Sequence, residues 1–174
     1  MTEGLRIRLA TAADLNALVG LETGPDTARY LGLIGREFHE RALADPDQEQ
    51  IVGELAGEVA GFAVLAGLRT DGGRIELRRI VLGDAYRGRG HGRALFRAAV
   101  ARAYRRHGAT QLWLDVKPDN AKARALYRSE GLTETGTIAD PTDPDGVLLL
   151  MAYSTPPAAA DQPETAQIES VVGS

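Results

Sequence analysis

The chain has no cysteine, three histidines and two lysines among 174 residues, and only 5% of it is aromatic. Without cysteine there are no disulfides, thiolate metal centres, iron–sulfur clusters or cysteine nucleophile. The histidines, His39, His91 and His107, fall in no HxH or HExxH spacing, so no histidine metal site is expected. The longest apolar run, residues 147–153, is seven residues long, whereas a membrane-spanning helix needs about 20. The opening stretch MTEGLRIRLATAAD carries no apolar secretory segment. These deficits lead to the expectation of a soluble, cytoplasmic protein with no metal and no membrane partner.

Hydrophobic residues make up 44% of the chain, the usual globular share, and the length suits one domain. The net charge is −4, which argues against a nucleic-acid partner. Its distribution is uneven. Residues 78–106 hold nine arginines and one acid, a local charge of +8 that leaves −12 on the rest. Such a block is either a solvated helix face or the footprint of a small polyanion. Residues 1–154 are patterned as a folded domain. The remainder, 155–174, is rich in Pro, Ala and small polar residues and is expected to be a flexible C-terminal tail.

The pattern within the domain alternates between periods of two and of about 3.6. Leu5–Leu9 alternates strictly and reads as a strand. Thr11 followed by Asp14 resembles a capping box opening a helix. Residues 26–43 read as a helix interrupted by Gly32 and Gly35. Residues 50–55 and 59–68 form a hairpin around Gly57-Glu58, and 75–82 is a third strand. A helix over 91–107 is closed by Gly108, and the strand 111–116 leads to a helix begun by Pro118-Asp119-Asn120 and ended by Gly131. Strands at 132–138 and 147–153 finish the domain. The expected class is α/β (α+β) with a mixed sheet.

The sequence Tyr86-Arg87-Gly88-Arg89-Gly90-His91-Gly92-Arg93 joins a strand to a helix. A glycine-rich turn there exposes backbone N–H groups at the positive end of the helix dipole, an arrangement suited to phosphate. The bland alternative is a flexible helix entry. A dinucleotide fingerprint fails because its third glycine position is Arg93, and no phosphate-loop GxxxxGK[ST] occurs. What remains is Arg87-x-x-Gly90-x-Gly92 after the strand 76–82.

These residues resemble the acyl-coenzyme A motif [Q/R]-x-x-G-x-[G/A] of the GCN5-related N-acetyltransferase (GNAT) family. A second segment of that family is matched by the strand Trp113-Leu114-Asp115-Val116, then Asn120, Ala123, Leu126, Tyr127 and Gly131. Asp84, His91 and Leu132 depart from the common residues, and none removes a donor from the turn. The resemblance implies a mostly antiparallel sheet of about seven strands with a splayed fourth and fifth strand, and about four helices. It implies acetyl-CoA as cosubstrate, with its pyrophosphate on the N–H groups of Gly88, Arg89, Gly90, His91, Gly92 and Arg93 beside Arg87. The pantetheine arm would run along Ile80, Val81 and Leu82, with Asn120 also in contact. A primary amine would be the acceptor, and the protein a monomer or homodimer.

Tyr127, by its spacing alone a core or surface aromatic, becomes by resemblance the general acid facing the cofactor sulfur. Asn120 alone is most economically an N-cap. Glu76 and Asp115 border the implied gap as rival bases, each with an ion pair as the alternative: Arg78 or Arg79 for Glu76, Lys117 for Asp115. The His91 ring is expected in solvent, His39 and His107 on helix surfaces, and Arg93 and Arg97 near the cofactor's 3′-phosphate or in water. A non-catalytic acyl-CoA-binding module of the same fold is the competing reading. The acceptor would sit against residues 23–35 and 135–146.

Overall fold

The computed structural model describes residues 4–30 and 34–157. The tail from residue 158 onward therefore lies outside the described residues. Seven strands form one sheet: β1 (Arg6–Leu9), β2 (Gln48–Leu55), β3 (Glu58–Ala66), β4 (Arg74–Leu82), β5 (Gln111–Val116), β6 (Thr133–Ala139) and β7 (Val147–Ala152). Their spatial order is β1-β2-β3-β4-β5-β7-β6. Every neighbouring pair is antiparallel except β4 and β5.

Period-two alternation divides β2 and β3 between two cores. On one face Ile51, Ala63 and Leu65 join Leu95, Phe96, Leu112, Leu114 and Tyr127 beneath α4 (His91–Ala101) and α5 (Ala121–Ser129). On the other, Val52, Phe62, Val64 and Val81 pack with Leu18 of α1 (Leu15–Leu21) and Phe38 of α3 (Gly35–Ala44). Between α1 and α3 lies the short α2 (Pro25–Tyr30). The described residues hold five α-helices, in line with the roughly four implied, and the stretch 26–43, read as one interrupted helix, is two. Gly35, at φ +73°, opens α3 in a conformation that glycine adopts without strain.

Local signals set several element ends. The Asp14 carboxylate accepts the Thr11 N–H at 2.8 Å, one half of the expected capping box. The same carboxylate takes a two-pronged pair from Arg8 at 2.7 and 2.8 Å, which ties α1 to β1. The helix expected over 91–107 is α-helical to Ala101 and then widens into a π-type turn over Arg102–Arg106. Gly108 follows with φ +65°, as a helix-ending glycine should.

His39 and His107 do not lie on helix surfaces as expected. His39 is fully buried, hydrogen-bonded to Glu22 and Gln50, because its side of α3 lies on the sheet. His107 is half-buried and pairs with Glu49 of β2, as does Arg102.

One irregularity positions the site. Along β3 and β4 the register shifts between Val64 and Leu65, which pair with Arg79 and Leu77, so Arg78 is an extra residue on β4. A bulge bends its strand and increases the local twist. β4 pairs with β5 only through Arg74, Glu76 and the residue between them, opposite residues 111–113. Beyond Glu76 the two strands diverge, as the resemblance implied.

Candidate active site

A cavity of about 760 Å³ opens where β4 and β5 part. One wall is the end of β4, with Ile80, Val81 and Leu82; the floor of the turn supplies Arg87, Gly88, Gly90, Gly92 and Arg93. The opposite wall is α5, with Asn120, Lys122, Ala123, Leu126 and Tyr127, and α2 contributes Thr27 and Tyr30.

The turn is built as its glycines require. Gly88 and Gly90 have φ +80° and +83°, a left-handed conformation that side chains disfavour, and Gly90 is the N-cap of α4. A Cβ on Gly92 would meet only Leu82 Cδ2 at 3.8 Å. Among the described residues, no protein acceptor takes the N–H groups of residues 88–93. Orphan donors at a helix start accept an anion at no cost to existing bonds.

The side chains around this turn are placed differently from the sequence reading. The His91 ring is buried at 8% exposure, a correction to the solvated ring expected: the first turn of α4 lies against the sheet. Arg93 bonds Ser129 Oγ at 2.9 Å and pairs with Glu130, and Arg97 Nε meets the same carboxylate at 2.9 Å. Those two guanidinium groups hold α4 to the end of α5, and together they draw the Glu130 carboxyl below its usual range despite burial. Arg87 reaches back to the Leu82 carbonyl at 3.3 Å and to Asp84 at 3.2 Å. Arg89 is exposed and does not line the cavity.

Asn120 caps α5, its Oδ1 accepting the Ala123 N–H at 3.3 Å. Two residues on, Lys122 lines the cavity from the first turn of α5. A cation there opposes the helix dipole, the one local feature by which the sequence could have singled it out. Thr27 and Tyr30 gave no such sign.

Tyr127 is 7% exposed, its ring 5.5 Å from that of Phe96. Burial pushes its phenol well above the usual value, and the charge of Asp115 adds to the shift. The hydroxyl therefore stays protonated at neutral pH. Glu76 and Asp115 do not line the cavity. The buried partners of Asp115 on β5, Leu112, Leu114 and Val116, belong to the core under α4 and α5, so Asp115 and Trp113 lie on the opposite sheet face. The structure separates the two rival carboxylates. Glu76 is bound by Arg78 through two bonds of 2.9 and 3.1 Å. Lys117 meets Asp140 at 4.0 Å, not Asp115. Desolvation, then Glu76 and Asp140, push the Asp115 carboxyl upward, and Arg78 only partly offsets them. No group of three or more metal-ligating side chains occurs among the described residues, and no helix there is long and apolar enough to cross a membrane.

Residues 15–132 match the acetyltransferase (GNAT) family, and the chain belongs to that family. It is 36% identical over 97 residues to the N-alpha-acetyltransferase RimI of Mycobacterium tuberculosis, a match covering 55% of this chain. The chain spans about 59% of the length of the curated relatives it matches first. Its fold is that of spermidine N-acetyltransferase from Vibrio cholerae, solved with CoA and spermine, at a TM-score of 0.73, 20% identity, and coverage of 85% of this chain and 94% of that one. It is also that of the ribosomal-protein-S18-alanine N-acetyltransferase of Escherichia coli, at a TM-score of 0.71, 24% identity, and coverage of 86% and 92%.

Proposed function

We propose that the protein is an acetyl-CoA-dependent N-acetyltransferase acting on a primary amine by direct attack in a ternary complex. The observation that carries this reading is that one cavity joins the free amides of the 88–93 turn to the protonated phenol of Tyr127, at the point where β4 leaves β5. Family membership supports it.

In this reading the coenzyme A diphosphate lies on the N–H groups of residues 88–93, with Lys122 adding charge from α5. The pantetheine amides use the edge of β4 at Ile80, Val81 and Leu82, which β5 leaves unpaired beyond Glu76. The amine approaches from the opposite face, where Asp115 lies. An alkylammonium, with a pKa of about 10.4, has no lone pair and must first lose a proton. Asp115 is the better base: burial raises its carboxyl toward the amine and no salt bridge among the described residues holds it, whereas Arg78 holds Glu76. The amine nitrogen then attacks the thioester carbon, the C–S bond breaks, and Tyr127 protonates the departing thiolate. Holding both reactants in one cleft supplies much of the rate.

The test is coenzyme A thiol release from acetyl-CoA with a panel of polyamines, amino acids, lysine peptides and peptide N-termini, each product confirmed by mass spectrometry. Amine-dependent release is expected. Acetyl-CoA binding with no release for any amine would leave the non-catalytic acyl-CoA-binding module in its place. The two carboxylates are separable by pH. The raised Asp115 carboxyl places an acidic limb in kcat/KM above the ordinary carboxylate value of about 3.9. Below that limb the base is protonated and the rate falls. Asp115→Asn is expected to abolish the limb and lower kcat/KM by about 10²-fold or more. Glu76→Gln keeps the limb but shifts it downward, because a neighbouring negative charge is gone.

A further inference from the structure

A second cluster of titratable groups lies beneath the cleft, on the α1 and α3 face of the sheet. Glu22, His39 and Gln50 are 1%, 0% and 3% exposed. Gln50 donates its amide nitrogen to the His39 carbonyl at 3.1 Å, which turns its oxygen toward His39 Nδ1 at 2.8 Å. Nδ1 therefore carries a proton. The other ring nitrogen, Nε2, meets Glu22 Oε1 at 2.5 Å. The rings of Phe38 and Phe62 stand edge-on to the imidazole at 5.5 and 5.1 Å, and Arg79 of β4 is the other charged group facing Glu22.

The remaining oxygen of Glu22 explains why so polar a cluster is buried here. Glu22 is the C-cap of α1, and its Oε2 accepts the N–H groups of Ile34 at 3.2 Å and Gly35 at 3.3 Å, where α3 begins. One side chain thus joins the two points at which the chain leaves for α2 and returns from it. Closing the base of a loop removes much of its freedom. At the far end, Arg29 approaches Asp119 at 3.6 Å, and the Arg29 carbonyl accepts from Lys117 Nζ at 3.5 Å. Between these ties α2 presents Thr27 and Tyr30 to the cavity.

We propose that Glu22, clamped by His39, is a positioning residue for the amine acceptor: it fixes α2, and with it Thr27 and Tyr30, against the cleft. This rests on the acetyltransferase reading above, and concerns the acceptor rather than acetyl-CoA, because α2 joins α1 to α3 on the sheet face where Asp115 lies and from which the amine approaches.

Three variants test it. Glu22→Met keeps the length and removes both acceptors. Glu22→Asp keeps the charge but withdraws it by one methylene. Glu22→Gln can still accept from Ile34 and Gly35 and donate to a neutral imidazole. With the best amine of the panel, Glu22→Met is expected to raise the amine KM about tenfold or more, the scale set by losing hydrogen bonds to a charged group. Its acetyl-CoA dissociation constant should be unchanged. Glu22→Asp shows the same split more weakly, and Glu22→Gln restores the native KM.

Hydrogen exchange gives a readout that needs no turnover. Residues 26–30 and 34–35 should exchange about tenfold faster in Glu22→Met than in the native protein or Glu22→Gln, with β4 and the start of α4 unchanged. An unaltered amine KM with unaltered exchange in α2 overturns the proposal. So does exchange accelerated equally throughout the sheet in both Glu22→Met and Glu22→Asp, which would make Glu22 a residue of general stability. If no amine is acetylated but the exchange pattern appears, the clamp stands and the acetyltransferase reading falls.

Discussion

Gly90→Asp is expected to abolish measurable acetyl-CoA binding. Gly90 sits at φ +83°, where an L side chain costs about 1–2 kcal/mol. It is also the N-cap of α4, and an aspartate at an N-cap turns its oxygen onto the N–H groups of the next two or three residues. Those are among the amides proposed to hold the diphosphate. The introduced carboxylate therefore strains the turn, occupies its donors, and repels the ligand by about 4 kcal/mol per unit charge at 4 Å and an effective dielectric near 20. The combined effect exceeds a hundredfold in affinity. Gly92→Ala is the control: its Cβ meets only Leu82 Cδ2 at 3.8 Å, and binding should persist. Calorimetry decides between the outcomes. Native affinity in Gly90→Asp would remove the turn as the phosphate site.

Tyr127→Phe is expected to lower kcat by about 10²-fold or more while leaving the acetyl-CoA dissociation constant nearly unchanged. The ring is buried against Phe96 at 5.5 Å and keeps that packing without its hydroxyl. Only the hydroxyl, the proposed proton donor, is lost. Its phenol, held far above neutrality by burial and by Asp115, is protonated throughout the working pH range, so the defect should not depend on pH there. Stopped-flow thiol release beside equilibrium binding separates the two quantities. Equal turnover would mean that the thiolate leaves unprotonated.

Legibility in the sequence varied from element to element. The seven strands and the turn at 88–92 were legible because each follows from local rules: alternation for β2, β3 and β5, and glycines where the chain turns left-handed. Asn120 announced the start of α5 as a cap and is one. Helix α3 shows where that legibility stops. His39 looks like a surface residue on a polar helix, and only the arrival of Glu22 from α1 and Gln50 from β2 makes its burial tolerable. Arg93 and Arg97 looked available to a ligand until α5 brought Glu130 between them. Glu76 and Asp115 could not be ranked in sequence, since the ion pair that decides it depends on Arg78, displaced by a bulge that no residue type signals.

The sequence by itself determined the order of the strands, the family, and the left-handed turn that opens α4, because backbone preference and side-chain periodicity act over a few neighbouring residues. Tertiary structure alone decided which charges are cancelled, which carboxylate is raised, and how α2 is held over the cleft. Those are set by Coulomb interactions and desolvation between groups brought together from distant parts of the chain, and their strength depends on separation and burial that no local pattern encodes.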